Sequence, residues 1–151
     1  MNPSDFEWQL TNGLQKLKEE LNAYRNEENL WIVTGNITNS AGNLAQHLVG
    51  NLKHFVGLHM GQVAYHRQRD LEFSGRQADR AMLLSWIDET IHAIHQALSG
   101  KEPAFLDQPF DETLVKVKDG QTRGFMLSHL YAHLNYHLGQ INYHRRLLDQ
   151  A

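Results

Sequence analysis

The chain has 151 residues, a length that fits one domain with a core of its own. It carries no cysteine, which excludes disulfides, thiolate metal sites and a cysteine nucleophile and fits a reducing, cytoplasmic setting. A formal net charge of −3 argues against a nucleic-acid surface, and the one compositional oddity is the presence of 10 histidines.

The N-terminus, MNPSDFEWQL, lacks the basic and apolar regions of a signal peptide, and no stretch approaches the roughly 18 apolar residues of a membrane span. The first helix is expected to start at a capping box of Ser4 and Glu7. Phe6, Leu10, Leu14, Leu17, Leu21 and Tyr24 then form a stripe with helical spacing that fades near NEEN. After the loop LWIVTGNITNS, Asn39 or Ser40 can cap a second helix. That helix carries Leu44, Leu48, Leu52 and Phe55 and ends around Gly57 and Gly61. Residues 61–75, GQVAYHRQRDLEFSG, read as a connection. A second capping box, Ser74 with Gln77, opens a third helix bearing Leu84, Ile87, Ile91, Ile94 and Leu98 and stopped by Gly100. The stretch TLVKVK alternates and meets the turn signal Asp119-Gly120, which allows a short hairpin. The fourth helix is expected from about Arg123 to Leu148. Four amphipathic helices and no internal repeat predict an all-α chain, a four-helix bundle forming one domain over residues 1–151.

The last helix holds HLYAHLNYHLGQINYH, with His129, His133 and His137 each four residues apart and His144 seven further on. Residues i and i+4 share a helix face about 5–6 Å apart at Cβ, so two imidazoles there can converge on one ion. His133 with His137, or His129 with His133, would serve. Leu130, Leu134, Ile141 and Leu148 mark the buried stripe, and His137 and His144 fall within it while His133 lies on its shoulder. A third ligand must come from another helix. The second helix offers His47 on its inward face, and His54 one heptad away on nearly the same line; spacing does not separate them. His92 and His95 fall on the polar side or edge of the third helix, and His59 and His66 flank a loop.

The order NSAGNLAQHLVGN, then HLNYHLGQINYH, resembles the DinB-like superfamily, which includes the bacillithiol-transferase-type proteins. The matching residues are Asn39-Ser40, Asn43-Leu44, His47-Leu48, Gly50-Asn51, His133, His137 and Gly139-Gln140-Ile141. The resemblance spans nearly the whole chain. It implies a four-helix bundle in up-down-down-up order, often a homodimer, with one divalent metal, zinc or nickel, held by His47, His133 and His137. It thereby selects His47 over His54. His129 and His144 are then expected to line or tune the cavity, with Asn51, Tyr136 and Gln140 as residues that orient ligands or meet substrate.

Such an ion with an open position can lower the pKa of water from 15.7 towards ≈ 7 or hold a substrate thiolate. The implied activity is thiol S-transfer to, or hydrolysis of, a small molecule, with no membrane or nucleic-acid partner. The alternative is a non-catalytic bundle stapled by metal. Leu134 stands where an H-E-x-x-H peptidase has its glutamate, which argues against that class. No acidic base is evident near the motif. Arg67, Arg69 and Asp70 could meet an anionic substrate, although a structural role for that loop is the stronger expectation. Gly50 and Gly139 are expected to permit close helix contact, and Trp8 and Trp31 to offer exposed surface for an interface.

Overall fold

The computed structural model describes residues 1–150. Their regular elements are helices, without strands: α1 (Pro3–Ala23), α2 (Ala41–Leu52), the one-turn α3 (His59–Gly61), the short α4 (Arg69–Phe73), α5 (Arg80–Leu98) and α6 (Arg123–Leu148). Short 3₁₀ turns at Glu27–Trp31 and Pro103–Asp107 bridge the longer elements, and a wider π-helical turn, Lys53–Leu58, joins α2 to α3 without a break.

α1 begins two residues earlier than its capping signal suggests. Asn2 Oδ1 accepts from Asp5 N (3.1 Å) and Asp5 Oδ2 accepts from Asn2 N (2.8 Å), with Pro3 at the first helical position. This box wins over Ser4 and Glu7 because proline fixes φ for the first turn and needs no hydrogen-bond partner. Leu10, Leu14, Leu17 and Leu21 are all fully buried, so the apolar stripe is the inner face of α1. Ser40 caps α2 by accepting from Asn43 N. α5 is capped by Asp79, not opened by Ser74 and Gln77, and so starts at Arg80.

Residue pairings fix the helix directions. Lys18 meets Asp88 and Glu7 meets His95, so α1 and α5 run antiparallel. A Cβ at Gly13 would contact Leu134, while Glu20 bonds Arg145 and Tyr24 bonds His144, so α1 and α6 run alongside in the same direction. Lys53 pairs with Glu89, and Gly57 and Gly61 lie against Ala93 and Ala97, so the α2–α3 rod descends parallel to α5. At Gly61 an added Cβ would sit 2.6 Å from the Ala97 Cβ, so only glycine permits this approach. Every residue of α2 is buried, as expected of a helix covered on all sides.

The hairpin is not formed. Residues 111–120 make turns and bends, and the one bridge among the described residues is between Pro109 and Thr122. Side chains take the place of a partner strand: Gln121 Oε1 accepts from Val117 N (3.0 Å), Gln121 Nε2 donates to the Val115 carbonyl (2.6 Å) and Glu112 accepts from Gly120 N (2.8 Å). Residues 61–75, read as a plain connection, contain α4. Trp31 is not exposed: it packs against the core, over Gly42, whereas Trp8 is exposed. No described helix is long and apolar enough to cross a membrane.

Candidate metal centre

Three imidazoles converge between α2 and α6. His47 Nε2 and His137 Nε2 each lie 3.1 Å from His133 Nε2. Two nitrogens bound to one ion at about 2.0–2.1 Å stand roughly 3.0–3.4 Å apart, for octahedral or tetrahedral angles. The ligand atoms of all three lie within 4.8 Å of one another, close enough to share a single ion. His47 is buried and the other two are half-buried.

Hydrogen bonds on the far side of two rings decide which nitrogen is free. Glu72 Oε1 lies 2.9 Å from His47 Nδ1, and a carboxylate can only accept, so Nδ1 carries the proton and Nε2 presents its lone pair. Gln140 Oε1 accepts from His137 Nδ1 at 2.7 Å with the same result. Lone pairs therefore crowd at the centre of the cluster with at most the one proton of His133 to separate them. A cation resolves that conflict, so the donor set fits a metal ion.

The protonation balance agrees. Burial, with the neighbouring His137 and His47, pushes His133 down to about 4. Burial also lowers His137, reinforced by His47 and opposed by its bond to Gln140. At neutral pH both rings are uncharged and able to coordinate.

Glu72 is the residue that sequence spacing does not reveal. It lies on α4, 25 positions from His47, and is buried. Burial pushes its pKa up, but bonds from His47 and Arg67 outweigh that and hold it below the usual carboxylate range. Arg67 grips it with both arms, Nε to Oε2 and Nη2 to Oε1, each at 2.9 Å. The Glu72 carbonyl accepts from the side chains of Asn43 (3.2 Å) and Gln46 (3.1 Å), which fasten α4 to α2. Phe73 packs on the His47 ring with centroids 4.7 Å apart. Gly50 makes room for this carboxylate: a Cβ there would fall 1.9 Å from Glu72 Oε2. Its close contact is thus with a side chain of α4. Gly139 has nothing within 4 Å of a Cβ and supports no helix contact.

The other expected residues are placed as follows. His144 is buried apart from the cluster. Its Nε2 donates to the Ile32 carbonyl (2.9 Å), so its Nδ1 accepts from the Tyr24 hydroxyl (2.7 Å), and neither nitrogen is free for a metal. His129 is exposed and stacks on Phe125. Tyr136 is exposed beside the His137 ring, with centroids 5.3 Å apart. Asn51 is buried, and its Oδ1 has no protein partner. His54 sits seven residues, about 10 Å, along the helix from His47 and packs edge-on against His59. Arg67 is occupied by Glu72 and Arg69 lies over Phe73, so this loop is structural at both arginines, while Asp70 is exposed.

Residues 34–39 and one face of α6 bound a groove beside His137, with a volume of about 750 Å³.

No curated protein and no solved structure matches the chain. A family model does match, over residues 8–151, from the first turns of α1 through the whole of α6, and includes all three clustered histidines and Glu72. The chain therefore belongs to the family described as "Protein of unknown function (DUF1572)".

Proposed function

We propose that His47, His133 and His137 hold one divalent cation, and that the protein is a metal-dependent enzyme acting on a small molecule. The observation that carries this reading is the convergence of three Nε2 atoms whose orientation is fixed from behind by Glu72 and Gln140. Carboxylate–histidine–metal relays of this kind set ring tautomer and ligand basicity. The arrangement suits zinc or nickel, both of which favour imidazole.

When bound, such an ion supplies Lewis acidity and lowers the pKa of a water or thiol. Glu72 orients His47 and is not placed to serve as a base. Both Glu72 oxygens are taken by Arg67 and His47, so that carboxylate is not free to accept a proton from substrate. This favours reactions in which the ion generates the nucleophile, either transfer of a small thiol or hydrolysis. We further propose a DinB-like four-helix bundle of α1, α2, α5 and α6 in up-down-down-up order, supported by the residue pairings between those helices.

The deciding experiment is metal analysis of protein purified without a histidine tag, with His137→Ala beside it. About one zinc or nickel per chain, lost in the variant, is the expected result. No metal as purified and none taken up on addition would overturn the proposal.

A further inference from the structure

The groove beside His137 has a distinct chemistry. It shares His137 and Gln140 with the candidate metal centre. Its volume of about 750 Å³ lies within the range that takes a small molecule. Leu44, Ile37, Tyr136, Tyr143 and Leu147 supply apolar and aromatic surface, and Thr34, Asn36, Thr38 and Asn39 supply hydrogen-bonding groups. No lysine, arginine, aspartate or glutamate lines it. Its one buried titratable residue, His144, has both nitrogens committed to Tyr24 and Ile32. Arg67, beside the cluster, is neutralised by Glu72, and Arg146, outside the lining, lies over the Tyr143 ring 5.4 Å from its centroid.

Exposure points the same way. Ile37, Tyr136, Tyr143 and Leu147 are large apolar side chains left in solvent, and all four gather around this one groove. Scattered exposed apolar residues need no explanation, but a contiguous group around a cavity marks a binding surface. The lining side chains bear no formal charge, so away from the ion a phosphate or carboxylate would lose water with no charged wall to replace it.

We propose that this groove binds the uncharged, apolar or aromatic body of the substrate on which the metal centre acts, with the hydrogen-bonding residues 34–39 contacting a neutral polar edge. The substrate class is therefore a neutral amphipathic small molecule. This inference rests on the metal-enzyme reading for the word "substrate", but occupancy of the groove is testable without it.

The test is a titration of isotope-labelled, metal-free protein with 2-naphthol and, separately, with the anionic 2-naphthoate, followed by backbone amide shifts. Naphthol should shift residues 34–39 and 136–148 saturably, and naphthoate should bind at least tenfold more weakly. Leu147→Asn and Tyr143→Ser, both at exposed positions, should weaken naphthol at least fivefold with helicity unchanged. In metal-loaded protein, octanohydroxamate should bind more tightly than acetohydroxamate, and the same two variants should abolish that difference while leaving metal content intact. Equal binding of naphthol and naphthoate, or shifts elsewhere on the molecule, would overturn the groove assignment. So would a dimer that either variant converts to monomer, because a second copy would then cover the face. Naphthol binding in the groove of a protein that takes up no metal would uphold the groove and sink the metal reading. Metal uptake with no gain from the octanoyl chain would do the reverse.

Discussion

Glu72 holds an imidazole and a guanidinium at once, and each partner constrains what a substitution can do. Glu72→Gln keeps the shape but loses the charge that raises the basicity of His47 and pairs with Arg67. Loss of a partner behind a metal-ligating histidine costs 10–100-fold in metal affinity, and that range is expected here by competition with a chelator. Glu72→Ala goes further, because it leaves the largely buried Arg67 without a partner. Breaking a buried pair from one side costs about 3–5 kcal/mol, which denaturant unfolding would resolve. The histidines give a pH signature of definite sign. His133 is held down to about 4 in the folded chain against an ordinary 6.5, and His137 is also lowered. In the window between those values the unfolded chain binds the extra protons, so metal-free stability rises with pH and is lost as pH falls from 6.5 towards 4. Thermal melts of metal-free protein across that window should show this slope, and His133→Asn should flatten it. A variant with the wild-type slope would sink this account.

Helix by helix, much of the architecture is legible in the sequence. The stripe from Phe6 to Tyr24 gives α1, and the fourth helix runs from Arg123 to Leu148 as its pattern suggests. The ends are harder to read because overlapping capping signals compete: Asn2 with Asp5 lies two residues before Ser4 with Glu7, and Asp79 lies beyond Ser74. α4 is hidden for a different reason. A five-residue helix shows no periodicity, and its placement depends on Asn43, Gln46, His47 and Arg67, all outside it. The hairpin misled because alternation in TLVKVK carries no information about Gln121, whose side chain captures the backbone. Glycine at 61 is the clearest element-scale liability. Gly61→Ala must push α3 away from Ala97 and should destabilise by about 1–3 kcal/mol, read from the shift in the denaturation midpoint.

For the whole molecule, the metal would act as a clasp between α2 and α6, two helices far apart in sequence. Anything that binds the folded chain alone raises its stability as RT ln(1 + [L]/Kd), about 2.7 kcal/mol at a hundredfold excess over Kd. Zinc should therefore raise the melting temperature of wild-type protein and leave His137→Ala unmoved. An equal rise in both would place the ion elsewhere. At this scale the sequence is only partly informative. It puts His133 and His137 on one face of α6 and offers both His47 and His54 on one line of the preceding rod, and the fold is what shows that His47 meets them. It does not show Glu72, because a carboxylate that fastens a loop to a helix leaves no spacing to recognise.

The π-helical turn at Lys53–Leu58 sets a condition on chain length. A wider turn accommodates one residue more than an α-helix would, and so resets the rotation of all that follows. Leu44 and His47 are timed to α6, whereas Gly57 and Gly61 are timed to Ala93 and Ala97 on α5. Without the wide turn the two halves of this rod would share a single phase, and one of the two appointments would be missed. Removing one residue between Lys53 and Leu58 is then a clutch: it leaves composition nearly untouched, yet forces a choice between the histidine cluster and the glycine seam.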